Sequence, residues 1–200
     1  MKRARPYLIW GVFALAVVVP IALAMTSPLL AWRQPIYIVA GIAGVIAMAL
    51  LLAQPLLAGG YLPGLSLLQS RGVHQWVGIA LVVAVIAHVG GLWITSPPDV
   101  IDALMFASPT PFSAWGVMAM WAVFAAAILA ALRQSLGLRP RWWRAAHTAL
   151  VVVAVAGSVV HALLIEGTMD PVSKAILCGL VLLATLKTTL DLRSWVRPRR

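Results

Sequence analysis

Six apolar runs set the limits on what this chain can fold into: residues about 7–25, 36–57, 73–95, 114–132, 142–165 and 172–190. Each is close to the ~20 residues an α-helix needs to cross a hydrocarbon core of about 30 Å. In lipid no water is available to satisfy backbone amides, so runs of this length fold as helices. Composition closes off the soluble alternatives. Of the 200 residues 62% are hydrophobic and only 10% charged, too few polar groups to coat a water-soluble domain. The expectation is an all-α chain, a single domain over residues 1–200, built as an integral membrane bundle of six transmembrane helices. The breaks between runs, such as "AGGYLPGLSLLQSRG" and "SPPDVIDALMFASPTPFS", are rich in turn-forming Pro and Gly. "MKRARP" before the first run and "ALAM" at its end resemble a signal peptide. That run is longer than a signal core, however, and is read as a retained helix.

The basic residues orient the bundle. With the N-terminus in the cytoplasm, all of the 15 Lys and Arg except Arg33 and Lys174 fall on the cytoplasmic side, and Asp99, Asp102, Glu166 and Asp170 fall on the other. The positive-inside rule therefore predicts cytoplasmic N- and C-termini, in a membrane of the bacterial inner (plasma) type. A net charge of +10 on a soluble fold would suggest nucleic acid. Here the charges lie in short pieces between apolar runs, so the expected partner is the lipid bilayer and not nucleic acid. The basic tail "RSWVRPRR" is expected at anionic headgroups. The lone Cys178 excludes an internal disulfide and a multi-cysteine metal site, and no C-x-x-C-H is present for covalent haem attachment.

Only four histidines occur, and all fall in two runs: His74 and His88 in the third, His147 and His161 in the fifth. Both pairs are fourteen residues apart, which on a helix is a rise of ~21 Å and a turn about 40° short of four full turns. The two imidazoles of each run thus share a face at two depths. Both runs follow a cytoplasmic loop and point the same way, so His74 pairs in depth with His147, and His88 with His161. Ionisable groups inside a span are costly and mark function by default. A single histidine would suit an interhelical hydrogen bond or a proton relay. Two matched pairs at equal spacing favour two haem sites, because a closed zinc site wants four protein ligands. A macrocycle brings four nitrogens of its own, and two imidazoles complete a six-coordinate iron suited to electron transfer. Arg71 and Arg144, each three residues before the first histidine of its run, are candidate partners for haem propionates or ordinary positive-inside residues. Gly78, Gly90, Gly91 and Gly157 would let a porphyrin approach the backbone, or simply mark helix contacts. "DVIDALMF" is expected as a short interfacial helix with Asp99 and Asp102 facing water. No catalytic side chain is singled out. The alternative from another class is a non-redox channel or transporter whose histidines relay protons or bind a metal ion.

The segments "RGVHQWVGIALVVAVIAHVGG" and "RWWRAAHTALVVVAVAGSVVHALL", set among six spans, resemble the ferric reductase-like transmembrane domain superfamily. That superfamily includes ferric reductases, NADPH oxidases and the haem-binding membrane subunit of a bacterial methionine sulfoxide reductase system. The resemblance implies two haem b groups: an inner one on His74 and His147, and an outer one on His88 and His161. It also implies an oxidoreductase or electron-transfer subunit that carries electrons from the cytoplasm to an exterior electron acceptor. Two features depart from the pattern. No flavin- or nicotinamide-binding region with G-x-G-x-x-G is present, so a separate cytoplasmic flavoprotein or a quinol electron donor is expected. The second histidine pair of the oxidases is usually one residue closer, and quinol-oxidising cytochromes b also use H-x13-H.

Overall fold

The computed structural model of the chain describes residues 4–194, with side chains up to Asp191. Lys2 and Arg3 lie outside the described residues, as does the basic tail apart from the backbone of Arg193 and Ser194. All regular structure among the described residues is helical: α1 (Ala4–Met25), α2 (Pro35–Ala58), α3 (Leu67–Thr95), α4 (Pro97–Leu104), α5 (Pro111–Ala131), α6 (Pro140–Leu164) and α7 (Pro171–Ser194), with one 3-10 turn at Pro28–Leu30. Six of these are long and apolar enough to cross a membrane. α4 is the short helix expected from "DVIDALMF"; it starts two residues earlier, and Asp99 and Asp102 are exposed.

The starts of the helices have local causes. α2, α4, α5, α6 and α7 each begin with proline at the first helical position, where the missing N–H costs no intrahelical bond. α3 begins instead with a capping box. The Ser66 hydroxyl accepts from the Gln69 amide at 3.3 Å, and the Gln69 side chain accepts from the Ser66 amide at 2.9 Å. This cap carries α3 back to Leu67, six residues before the apolar run at 73, and so sets His74 a full two turns inside the helix.

Successive long helices run up and down. One end gathers the α2–α3 and α5–α6 connections with Arg71, Arg133, Arg139, Arg141 and Arg144, and is called here the basic end. Two tight hairpins form the centre, α2 on α3 and α5 on α6, while α3 and α6 make almost no backbone contact with each other. α7 closes the bundle against α2 and α6. The core between these elements is aliphatic: Met48, Leu51 and Leu52 of α2, Leu81 of α3, Val123 of α5, Val155 and Val159 of α6, and Leu177, Cys178 and Val181 of α7. Leu8, Leu15, Val83, Ile86, Leu183 and Leu186 stay exposed, as expected of side chains that face hydrocarbon.

At the basic end, Tyr61 donates its hydroxyl to Asp191, which also holds Lys187 at 2.8 Å, so the α2–α3 loop is tied to α7. Burial and then the Asp191 contact push the Tyr61 hydroxyl above the ordinary tyrosine range. At the opposite end, Thr26, Ser27, Glu166, Thr168, Asp170 and Lys174 help line a cleft of about 780 Å³.

Candidate functional site: a double layer of imidazoles

α3 and α6 present all four histidines, and every one of them points a ring nitrogen at the main chain of the helix it is paired with. His88 Nδ1 donates to the Ala40 carbonyl of α2 at 2.8 Å, and His161 Nδ1 to the Phe112 carbonyl of α5 at 2.9 Å. His74 Nδ1 donates to the Gln54 carbonyl at 3.2 Å, while the Gln54 side-chain amide donates back to the His74 carbonyl at 3.3 Å. The two residues therefore hold each other. His147 Nδ1 is sealed from solvent and faces the Ala126 carbonyl, outside normal hydrogen-bonding geometry. Its ring lies flat against Trp143, with centroids 5.2 Å apart and planes 10° from parallel.

Because a carbonyl can only accept, the proton of a neutral imidazole in each of the three bonded cases sits on Nδ1. Nε2 is then left with a free lone pair. A metal-binding histidine needs this arrangement: the nitrogen away from the metal is anchored, which fixes tautomer and ring plane and raises the basicity of the other.

The levels expected from the sequence are present. The rings of His88 and His161 are 6.4 Å apart at their centres, with planes at 78°. An imidazole nitrogen sits about 2.0–2.1 Å from a coordinated transition metal, so two rings could share one only at close range. These two rings are near enough to do so. His74 and His147 form the second level by register, each fourteen residues before His88 or His161 on its helix. No three His, Cys, Asp or Glu side chains converge among the described residues. Two nitrogen donors per level, on helices held apart, do not close a four-ligand zinc site; they could hold a group that brings further donors of its own.

Two glycines that sequence reasoning passed over make the distal contacts possible. A Cβ on Gly44 of α2 would stand 2.9 Å from His88 Nδ1, and one on Gly116 of α5 would stand 2.7 Å from His161 Nδ1. Each glycine lies one helical turn beyond the carbonyl its histidine uses, so the imidazole occupies the space a methyl group would take. A sequence signal existed: the distal histidine follows its glycine by 44 residues in one hairpin and by 45 in the other. The glycines singled out from the sequence do other work. A Cβ on Gly91 would meet Ala40, and one on Gly157 would meet the Trp115 carbonyl and Ala119, so both are helix-packing positions. Gly78 sits beside the Gln54 amide, and Gly90 faces open space. Arg71 and Arg144 are exposed at the basic end, one turn before the proximal histidines, and neither forms a hydrogen bond or ion pair among the described residues.

No curated protein and no solved structure matches the chain. The family described as ferric reductase like transmembrane component matches residues 40–158, from the carbonyl that receives His88 to three residues short of His161. With more than half of its length covered, and with both histidine-bearing helices inside or reaching into the matched region, the chain belongs to the ferric reductase-like transmembrane family.

Proposed function

We propose that this protein is a di-haem b-type membrane cytochrome that passes electrons across the bilayer, from a cytoplasmic flavoprotein or quinol donor to an acceptor at the exterior face. The observation that carries the reading is the double layer of imidazoles, three of them locked by Nδ1 to a helix carbonyl with Nε2 left free. Family membership supports the coarser statement, a redox role in the membrane.

His74 and His147 would hold the inner haem, and His88 and His161 the outer. Haem held at each level by its two imidazoles would supply a one-electron carrier. The remaining work belongs to the chain. The carbonyls of Gln54, Ala40 and Phe112 hold the imidazole planes. Met48, Leu51, Leu81, Val155 and Val159 exclude water from the region between the levels. Arg71 and Arg144 offer cations where propionates of an inner haem would emerge. With the basic end cytoplasmic, as the distribution of Arg and Lys supports, the cleft lined by Glu166, Asp170 and Lys174 opens at the acceptor side.

The test is haem stoichiometry. Protein purified from haem-replete cells should carry two low-spin haem b per chain. His88→Ala or His161→Ala should remove one, and His74→Ala or His147→Ala the other. Colourless protein, or four histidine variants with unchanged haem content, would refute the reading.

A further inference from the structure

Three of the four imidazoles are oriented by a hydrogen bond from Nδ1 to a carbonyl, whereas His147 Nδ1 faces the Ala126 carbonyl outside normal hydrogen-bonding geometry. His147 instead lies against the indole of Trp143, four residues earlier on α6, in a near-parallel stack. Trp143 is itself held from two sides. Its Nε1 donates to the Leu129 carbonyl of α5 at 3.1 Å, and the Arg133 guanidinium lies 4.6 Å over its ring. Arg133 at the exposed basic end and His147 farther along α6 thus both lie against the Trp143 ring.

We propose that Trp143 is the positioning residue for His147, doing with its ring face what a carbonyl does for each of the other three histidines. The inference rests on the di-haem reading above. A face contact differs from a hydrogen bond in a way that matters chemically. It fixes the ring plane, while the Ala126 carbonyl, outside normal hydrogen-bonding geometry, holds Nδ1 less firmly than the carbonyls that receive the other three. The inner site is therefore the one that depends on an aromatic side chain for the orientation of an imidazole. The Arg133 guanidinium, 4.6 Å from the Trp143 ring centre, is drawn to the ring's π electrons and so helps to hold the indole in place.

The experiment uses the full-length protein in detergent or lipid, read by low-temperature electron paramagnetic resonance and optical spectra. The inner signal is assigned from an H88A sample. W143L should lose the inner low-spin signal while the outer one is unchanged, and added imidazole should restore a low-spin species. W143F keeps an aromatic face and should keep the inner signal. R133Q, an exposed change in the α5–α6 connection that removes the cation from the Trp143 ring, should retain two haems and shift the g values of the inner signal alone. A wild-type chain without haem overturns the di-haem reading itself. A two-haem wild type whose W143L variant keeps an unaltered inner signal overturns only the role of Trp143. Should W143L fail to accumulate, an inner signal unmoved in R133Q overturns it equally.

Discussion

Adding one methyl group at Gly44 or Gly116 should unseat one histidine each, and the structure sets the size of the effect. A Cβ at Gly44 would stand 2.9 Å from His88 Nδ1 and 3.1 Å from Cε1. Ordinary contact between such atoms is about 3.5 Å or more, so the ring must retreat by ~0.6 Å. That retreat stretches the 2.8 Å bond to the Ala40 carbonyl toward ~3.4 Å, beyond the usual hydrogen-bond range. A buried donor left without its acceptor costs about 1–3 kcal/mol, or roughly 5- to 150-fold in an equilibrium constant. Anchors behind metal ligands typically change affinity by a similar 10- to 100-fold. At Gly116 the same Cβ would stand 2.7 Å from His161 Nδ1, so Gly116→Ala should be the more damaging of the two. The control is Gly41→Ala on the same helix, where a Cβ meets nothing within 4 Å. Helix propensity cannot mimic the result, because Gly→Ala inside a helix is favourable by about 1 kcal/mol. The assay is haem per chain by reduced-minus-oxidised spectra across a haem titration. Weakened binding of one haem in G44A and G116A with G41A unchanged is the expected pattern. Undiminished haem affinity in G116A, or a G41A as impaired as G44A, would refute the argument.

Two further outcomes follow from the same geometry. The His88 and His161 planes are 78° apart, and if the two rings hold one haem, crossed imidazole planes leave the iron d orbitals of π symmetry almost degenerate. The outer site should therefore give the strongly anisotropic low-spin resonance typical of crossed ligands, and a rhombic spectrum would contradict the ring geometry. Gln54→Leu removes the amide that holds the His74 main chain but leaves the Gln54 carbonyl in place. It should weaken the inner site by about 1 kcal/mol without touching the outer one, as read by haem loss on dilution.

The histidine pattern shows where sequence reasoning reaches and where it stops. The spacing of fourteen, with the direction of the spans, was enough to place His88 beside His161 and His74 in the same layer as His147, because helix pitch is invariant and a bilayer permits little but helices. The expected short helix near Asp99 was readable for a related reason: prolines at 97 and 98 start it and the acidic residues need water. The run boundaries were less secure, since polar capping signals outside the apolar window extend α3 back to Leu67.

What the sequence by itself determined was the number of spans, the axial stacking of the imidazoles and their shared faces, all consequences of local helical geometry in lipid. Only the tertiary structure decided what stands behind each ring. The carbonyls of Ala40, Gln54 and Phe112 and the room made by Gly44 and Gly116 depend on how α2 meets α3 and α5 meets α6. Gly91 and Gly157, which stood nearer the histidines in the chain, proved to be helix-packing positions. The physical reason is that an anchor for a side chain acts across a helix interface, between residues 20 to 49 positions apart, where neither periodicity nor propensity carries information. Trp143 is a local neighbour of His147 by spacing, but the contacts that hold its indole, to Leu129 and Arg133, come from α5 and the connection after it.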